Sequence, residues 1–138
     1  MIEELAQLLE RQTAAIQTLE ARLRAMELVV AAEEHRFVAI ALEELETASE
    51  QLAALELTRT LAFTAAGIDP DTRPDDLIDH VEGRYDRGYV EVLRVRLDDA
   101  RRATERLLDA HERATAVVGR AARDVRARVE AGQTFAAV

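Results

Sequence analysis

The chain has 138 residues, 49% of them hydrophobic, 33% charged and only 4% aromatic, with a formal net charge of −9 and no cysteine. Such a length suits one domain with a real core, and the acidic balance argues against a general nucleic-acid binder, whose phosphate contacts need a positive surface. Without cysteine there is neither a disulfide frame nor a thiolate metal site.

No run of about 18 apolar residues occurs, the length a membrane-spanning helix needs. The N-terminus, MIEELAQLLE, is acidic rather than a basic leader. The expectation is a cytoplasmic protein with no direct membrane insertion. Abundant Ala, Glu, Leu and Arg with few glycines points to long helices. Residues 1–66 hold 12 acids and 5 arginines, residues 67–86 hold 7 and 2, and residues 87–138 hold 8 and 11, for net charges of −7, −5 and +3. An acidic first half facing a mildly basic last helix favours docking within the chain, although solvated faces of mixed charge explain the same numbers.

The first predicted helix covers about residues 3–31. Ile2, Leu5, Leu9, Ile16, Leu19, Leu23, Met26 and Val30 follow alternating steps of three and four, interrupted only at Gln12. That seam needs partner helices to cover it. Inside the stretch LVVAAEEHRFVAIAL, residues 28–42, the pattern slips by one residue and resumes as Val38, Leu42 (or Ala41), Leu45, Leu52 and Leu55. A continuous helix overwound locally would absorb the slip. A tight turn at residues 32–34 would absorb it too, and would place Glu33 and Glu34 near a new helix N-terminus, where the dipole favours acids. The turn is the preferred reading, against which stands the absence of Gly, Asn and Pro.

A second helix then runs over about 34–66, with Gly67 past its end and GIDPDTRPDD as the clearest loop. A short helix over about 74–82 opens with Pro74 and stops before Gly83. The last long helix, about 88–131, carries Val90, Leu93, Leu97, Ala100, Leu107, Ala114, Val118, Ala121 and Val125 on one seam, with Thr104 and His111 also on it. Its second half is rich in alanine and valine, which bury little area each, so it is expected to be held less tightly. Gly132 is expected to end it, leaving a mobile tail over 132–138. The predicted architecture is all-α: an elongated antiparallel three-helix bundle or coiled coil, with an additional short helix in the connection before the last long one.

No catalytic constellation is present, and none of the three histidines lies in a Glu-x-x-His or His-x-x-x-His pair. Asp76 and His80, four apart, suit a hydrogen bond or a weak metal site but equally an ordinary surface pair. His111 reads as a half-buried packing residue and His35 as exposed. Arg113, Arg120, Arg123 and Arg126 could meet an acidic partner, or simply complement the helix dipole. No enzyme activity, cofactor, metal or nucleic acid is expected.

The segment VVAAEEHRFVAIALEELETASEQLAALELTR, residues 29–59, resembles the FlgN family of flagellar export chaperones. Their first helix ends in a few apolar residues, here Val29, Val30 and Ala31. A short junction follows, often Gly-Asp, where residues 32–34 stand here without the glycine. A second helix with leucines, many glutamates and an arginine after a Leu-Glu step matches Leu42, Leu45, Leu52, Leu55, Glu56 and Arg59. The later layout is similar too, with a loop, a short helix opening Pro-Asp-Asp-Leu, and one long C-terminal helix that lacks the asparagines common in relatives. The resemblance implies a cytoplasmic chaperone that binds the C-terminal helices of hook–filament junction proteins, prevents their premature self-association and hands them to flagellar export gate components of the type III system. It also implies that client binding lies in the last helix. Together with the loosely held second half, this gives Leu107, Leu108, Ala114, Val117, Val118, Ala121 and Val125 as candidate partner-binding residues. The alternative is a coiled-coil scaffold, oligomerisation or adaptor module without a secretion role, suggested by the seam from Ile2 to Val30.

Overall fold

The slip at residues 28–42 is a turn. The computed structural model describes the backbone of residues 1–137 and the side chains of residues 1–132. In it α1 (Ile2–Ala31) ends at this point and α2 (His35–Ala65) begins, followed by α3 (Pro74–Val81) and α4 (Arg87–Ala137). The Glu33 N–H donates to the Val30 carbonyl and the Glu34 N–H to the Val29 carbonyl, each at 3.1 Å. These are the paired bonds of a Schellman cap, whose left-handed position is usually glycine. Glu33 occupies it at φ 56°, a conformation that costs an L-residue about 1 kcal/mol or more. The same cap closes α2, with Gly67 at φ 73°, Gly67 N–H to Thr64 O at 3.0 Å and Ile68 N–H to Phe63 O at 2.9 Å. There the flanking pair Ile68 and Phe63 is buried in the core, whereas at the first turn the equivalent pair is Val29 and the charged Glu34.

Charge and proline set the other helix starts. Glu3 and Glu4 sit in the first turn of α1, and Asp75 and Asp76 follow Pro74 in the first turn of α3, where acids complement the positive end of the dipole. Between α2 and α3, the Asp69 carboxylate accepts the Asp71 N–H at 2.9 Å and the Asp69 carbonyl accepts the Thr72 N–H at 3.0 Å. This reverses the chain while keeping Ile68 turned inward.

The long helices run up, down and up, so the architecture is an all-α bundle in which consecutive long helices are antiparallel and α1 and α4 are parallel. The order follows from the packing. Ile2, Leu5 and Leu9 meet Phe63 near the end of α2 and Val90 and Leu93 near the start of α4, with Leu77, Ile78 and Val81 of α3 completing the cluster. Halfway along, Ile16 packs with Leu52 and Ala103, and further on Leu23 packs with Ala110 and Ala114. Helix α1 is the central element: it lies close to both α2 and α4, which approach each other no more than marginally. Its buried side chains follow the seam expected from Ile2 through Met26.

Helix α2 settles a choice that the sequence left open, and α4 differs in detail from the sequence expectation. On α2 the position that spacing left open between Leu42 and Ala41 is taken by Ala41, which is buried while Leu42 is 46% exposed. On α4, Ala103 and Ala110 are fully buried, while Thr104 and His111, expected on the seam, are exposed. The Thr104 hydroxyl instead donates to the Ala100 carbonyl at 2.8 Å. The reason is the same in each case. Close approach of two helices selects the residue with the smallest side chain, and turning Ala103 and Ala110 towards α1 also leaves a hydroxyl and an imidazole in water rather than buried. Nor does α4 stop at Gly132. It continues to Ala137, and Gly132 has no positive φ. A glycine inside a helix costs about 1 kcal/mol relative to alanine, which does not break a helix this long. The expectation of a mobile tail falls mainly on residues 133–138, which, apart from the backbone of 133–137, lie outside the described residues.

Candidate partner-binding groove

At about 1.5 Å per residue, the 51 residues of α4 span about 76 Å and the 30 of α1 about 45 Å. Since Val90 starts level with the first turns of α1, the last 15 or so residues of α4 extend roughly 25 Å beyond the α1–α2 turn. Burial on α4 fades accordingly. Among the described residues Ala114 is its last buried one, Val117, Gly119 and Ala121 are half-buried, and 122–132 are all exposed.

Where α4 leaves the hairpin lies an open groove of about 660 Å³. Val117, Val118, Ala121, Ala122 and Val125 form its α4 side, and Val30, Ala31, His35 and Val38 form the opposite side around the turn. Arg128 crosses towards the turn and donates to the Glu33 carboxylate at 3.1 Å. The floor exists because both helices present small side chains here, so no leucine fills the space between them.

The seven residues proposed from sequence do not form one surface. Val117, Val118, Ala121 and Val125 come together in the groove, with Val118 43% and Val125 49% exposed. Ala114 is buried beside Leu23 and Ala110, and Leu107 packs against both upper core clusters. Neither is free to meet a partner. Leu108 is 64% exposed but lies off the groove, on the solvent side. Leu107 and Ala114 both lie on the seam expected to face the bundle, so the spacing that marks them as apolar also places them in the core.

Sequence reasoning missed the hairpin's contribution. Val30 and Val38 were read as ordinary seam positions on either side of the slip. The signal lay in their position, since seam residues at a turn lose the covering layer that their neighbours have. The charges also sort themselves. Residues 87–112 of α4 hold 6 arginines and 6 acids, whereas 113–132 hold 5 and 2. Asp109 answers Arg113 and, by hydrogen bond and charge, raises its pKa. Glu33 answers Arg128. Arg120, Arg123 and Arg126 make no ion pair with any acid among the described residues.

Elsewhere the arrangement is structural. Asp76 faces Arg73 at 3.5 Å and His80 Nε2 faces Arg84 at 3.2 Å. Among the described residues no group of three or more His, Asp or Glu side chains is placed to hold a metal ion, and no helix is long and apolar enough to cross a membrane. Arg59, the arginine of the family resemblance, lays its guanidinium over the Phe63 ring at 5.6 Å, a packing role at the closed end of the bundle. Compared with protein-family models, curated proteins and solved structures, the chain matches none. What the groove itself offers is an apolar floor with a charged margin of Arg120, Asp124, Arg128 and Glu33, suited to covering the apolar face of another chain.

Proposed function

We propose that this protein is an export chaperone of the FlgN type. In this reading it works in the cytoplasm, binds the C-terminal helices of hook–filament junction proteins, keeps them from associating prematurely, and presents them to flagellar export gate components. The observation that carries the reading is the open groove on a long, overhanging last helix, at the end of an up-down-up bundle. The turn at residues 32–34 supports it, because it falls at the junction of the pattern quoted above. The binding residues are narrowed to Val117, Val118, Ala121 and Val125, joined by the hairpin wall.

A scaffold built on the α1 heptads is the alternative. Its motivating seam is occupied, since Leu5, Leu9, Ile16 and Leu23 pack in clusters shared with α2 and α4, and Met26 is buried too. The test is a pull-down with the intact protein from flagellated source cells, reading the bound proteins by mass. Hook–filament junction proteins are expected among them, and their absence would sink the flagellar reading. The informative deletion is 122–138 rather than 107–138, because Leu107, Ala110 and Ala114 are core. Removing 122–138 is expected to abolish client capture with helicity elsewhere retained.

A further inference from the structure

We propose that the groove takes an acidic amphipathic helix of a partner protein, seated at once against α4 and the α1–α2 turn, with Arg120 and Arg126 answering its carboxylates. This rests on the partner-binding part of the reading above and not on its flagellar part.

Three observations carry it. First, at about 3.6 residues per turn, Val117, Val118, Ala121, Ala122, Val125 and Val129 share one face of α4, with Arg120 and Asp124 at one margin and Arg126, just outside the groove lining, beyond the other. Such a face, apolar in the middle and set in a stretch of α4 where arginines outnumber acids by five to two over residues 113–132, complements a helix with an apolar stripe flanked by acids. Second, among the described residues Arg120 and Arg126 have no acidic partner, unlike Arg94, Arg96, Arg101, Arg102 and Arg113, so an incoming carboxylate breaks no ion pair described there. Third, the hairpin supplies a second wall, and its Glu33 holds Arg128 across the groove. An acidic helix would compete with Glu33 for that guanidinium, so the pair acts as a clasp that an acid opens and a base does not.

A second copy of this chain fits the site less well. Pairing two overhangs sets Arg120 and Arg126 against their own kind. The outward apolar residues of α2, Phe37, Ile40 and Leu42 near its start and Leu57 with Leu61 near its end, are separated by residues 43–56, whose exposed positions are mostly polar, and offer no continuous stripe.

The probes are two peptides of about 20 residues, or about 30 Å as helix, sharing one apolar stripe and carrying Glu or Lys on the polar face. Each is titrated against the intact protein by fluorescence anisotropy. The Glu peptide is expected to bind about tenfold tighter, with an advantage that shrinks as salt rises. The double variant Arg120→Glu/Arg126→Glu should reverse the preference, and Glu33→Gln should tighten the Glu peptide by freeing Arg128. Amide hydrogen exchange should slow on binding at both residues 30–38 and 117–129. Equal affinities, a preference for the Lys peptide, or no binding of either overturns the proposal. Protection confined to α4 overturns the two-walled site. A two-chain mass with these amides already protected before peptide is added overturns it in favour of a second copy. Binding of the Glu peptide alongside a failed pull-down of junction proteins would keep this site and discard the flagellar role.

Discussion

The two ends of this bundle are made from the same three long helices and opposite kinds of side chain. At the closed end Leu5, Leu77, Val81 and Leu93 are almost wholly removed from water, and four elements converge on them. At the open end no described residue of α4 after Ala114 is more than half-buried, and α4 meets α1 through alanines. Each fully buried leucine or valine contributes about 1.5–3 kcal/mol, and an alanine far less. The stability of the fold is therefore concentrated at one end, and the other end is left with an apolar face that the chain does not use. Even the turns follow the division, with glycine and an apolar clasp closing α2 and a strained glutamate closing α1.

The widest gap between the ends should appear in truncations. Leu93→Ala removes a side chain with 0% exposure from the closed cluster and is expected to cost about 2–5 kcal/mol. Val125→Ala, 49% exposed in the groove, should change stability by no more than about 0.5 kcal/mol. Denaturant unfolding of both variants measures this. Comparable losses would mean that α4 is held uniformly, and the contrast between the ends would be wrong.

A smaller effect should distinguish the two Schellman caps. Glu33→Gly relieves the left-handed strain and is expected to raise stability by up to about 1 kcal/mol, while Gly67→Ala imposes that strain and should lower it by about 1 kcal/mol. Loss of the Glu33–Arg128 pair subtracts little, since its side chains are 65% and 61% exposed. Opposite signs in thermal unfolding support the assignment, and two changes of the same sign would refute it.

The pattern of large side chains made much of this legible in advance. Leucine and isoleucine on α1 declared their seam, and Gly67, Pro74 and Gly83 marked the connections. What stayed hidden depended on alanine. Ala103 and Ala110 carry almost no hydrophobic signal, so Thr104 and His111 looked like better seam positions on spacing alone, and spacing left Leu42 and Ala41 undecided. Yet a close helix crossing wants the smallest side chain, and with Ala103 and Ala110 turned inward Thr104 and His111 face water, while Leu107 and Ala114, already on the expected seam, pack in the core. The turn at residues 32–34 was visible only as a slip in spacing, because Glu33 adopts a conformation that sequence rules reserve for glycine or asparagine. The second wall of the groove was invisible for another reason: it forms where α4 outruns the hairpin, and helix lengths alone do not reveal how two helices are staggered.

The finest distinction between the ends is electrostatic. In the first part of α4, Arg94 meets Glu82, Arg96 meets Glu10, and Asp98 accepts from Arg101 at 2.8 Å with Arg102 at 2.6 Å. The hydrogen bond from Arg101, with the charges of both arginines, holds the Asp98 carboxyl below its ordinary value. A carboxylate with a lowered folded pKa adds stability above its unfolded pKa, and that increment is lost as pH falls through the folded value. Asp98 is solvated, so the increment is small. Asp98→Asn should therefore be slightly less stable than the parent at neutral pH, and the two should converge on acidification below the ordinary carboxylate range. A gap that widens in acid would reverse the sign and refute the assignment. The overhang has few such pairs to lose. Hydrogen exchange followed through the same pH drop should accordingly show the first half of α4 loosening while residues 122–132, already exposed, change least.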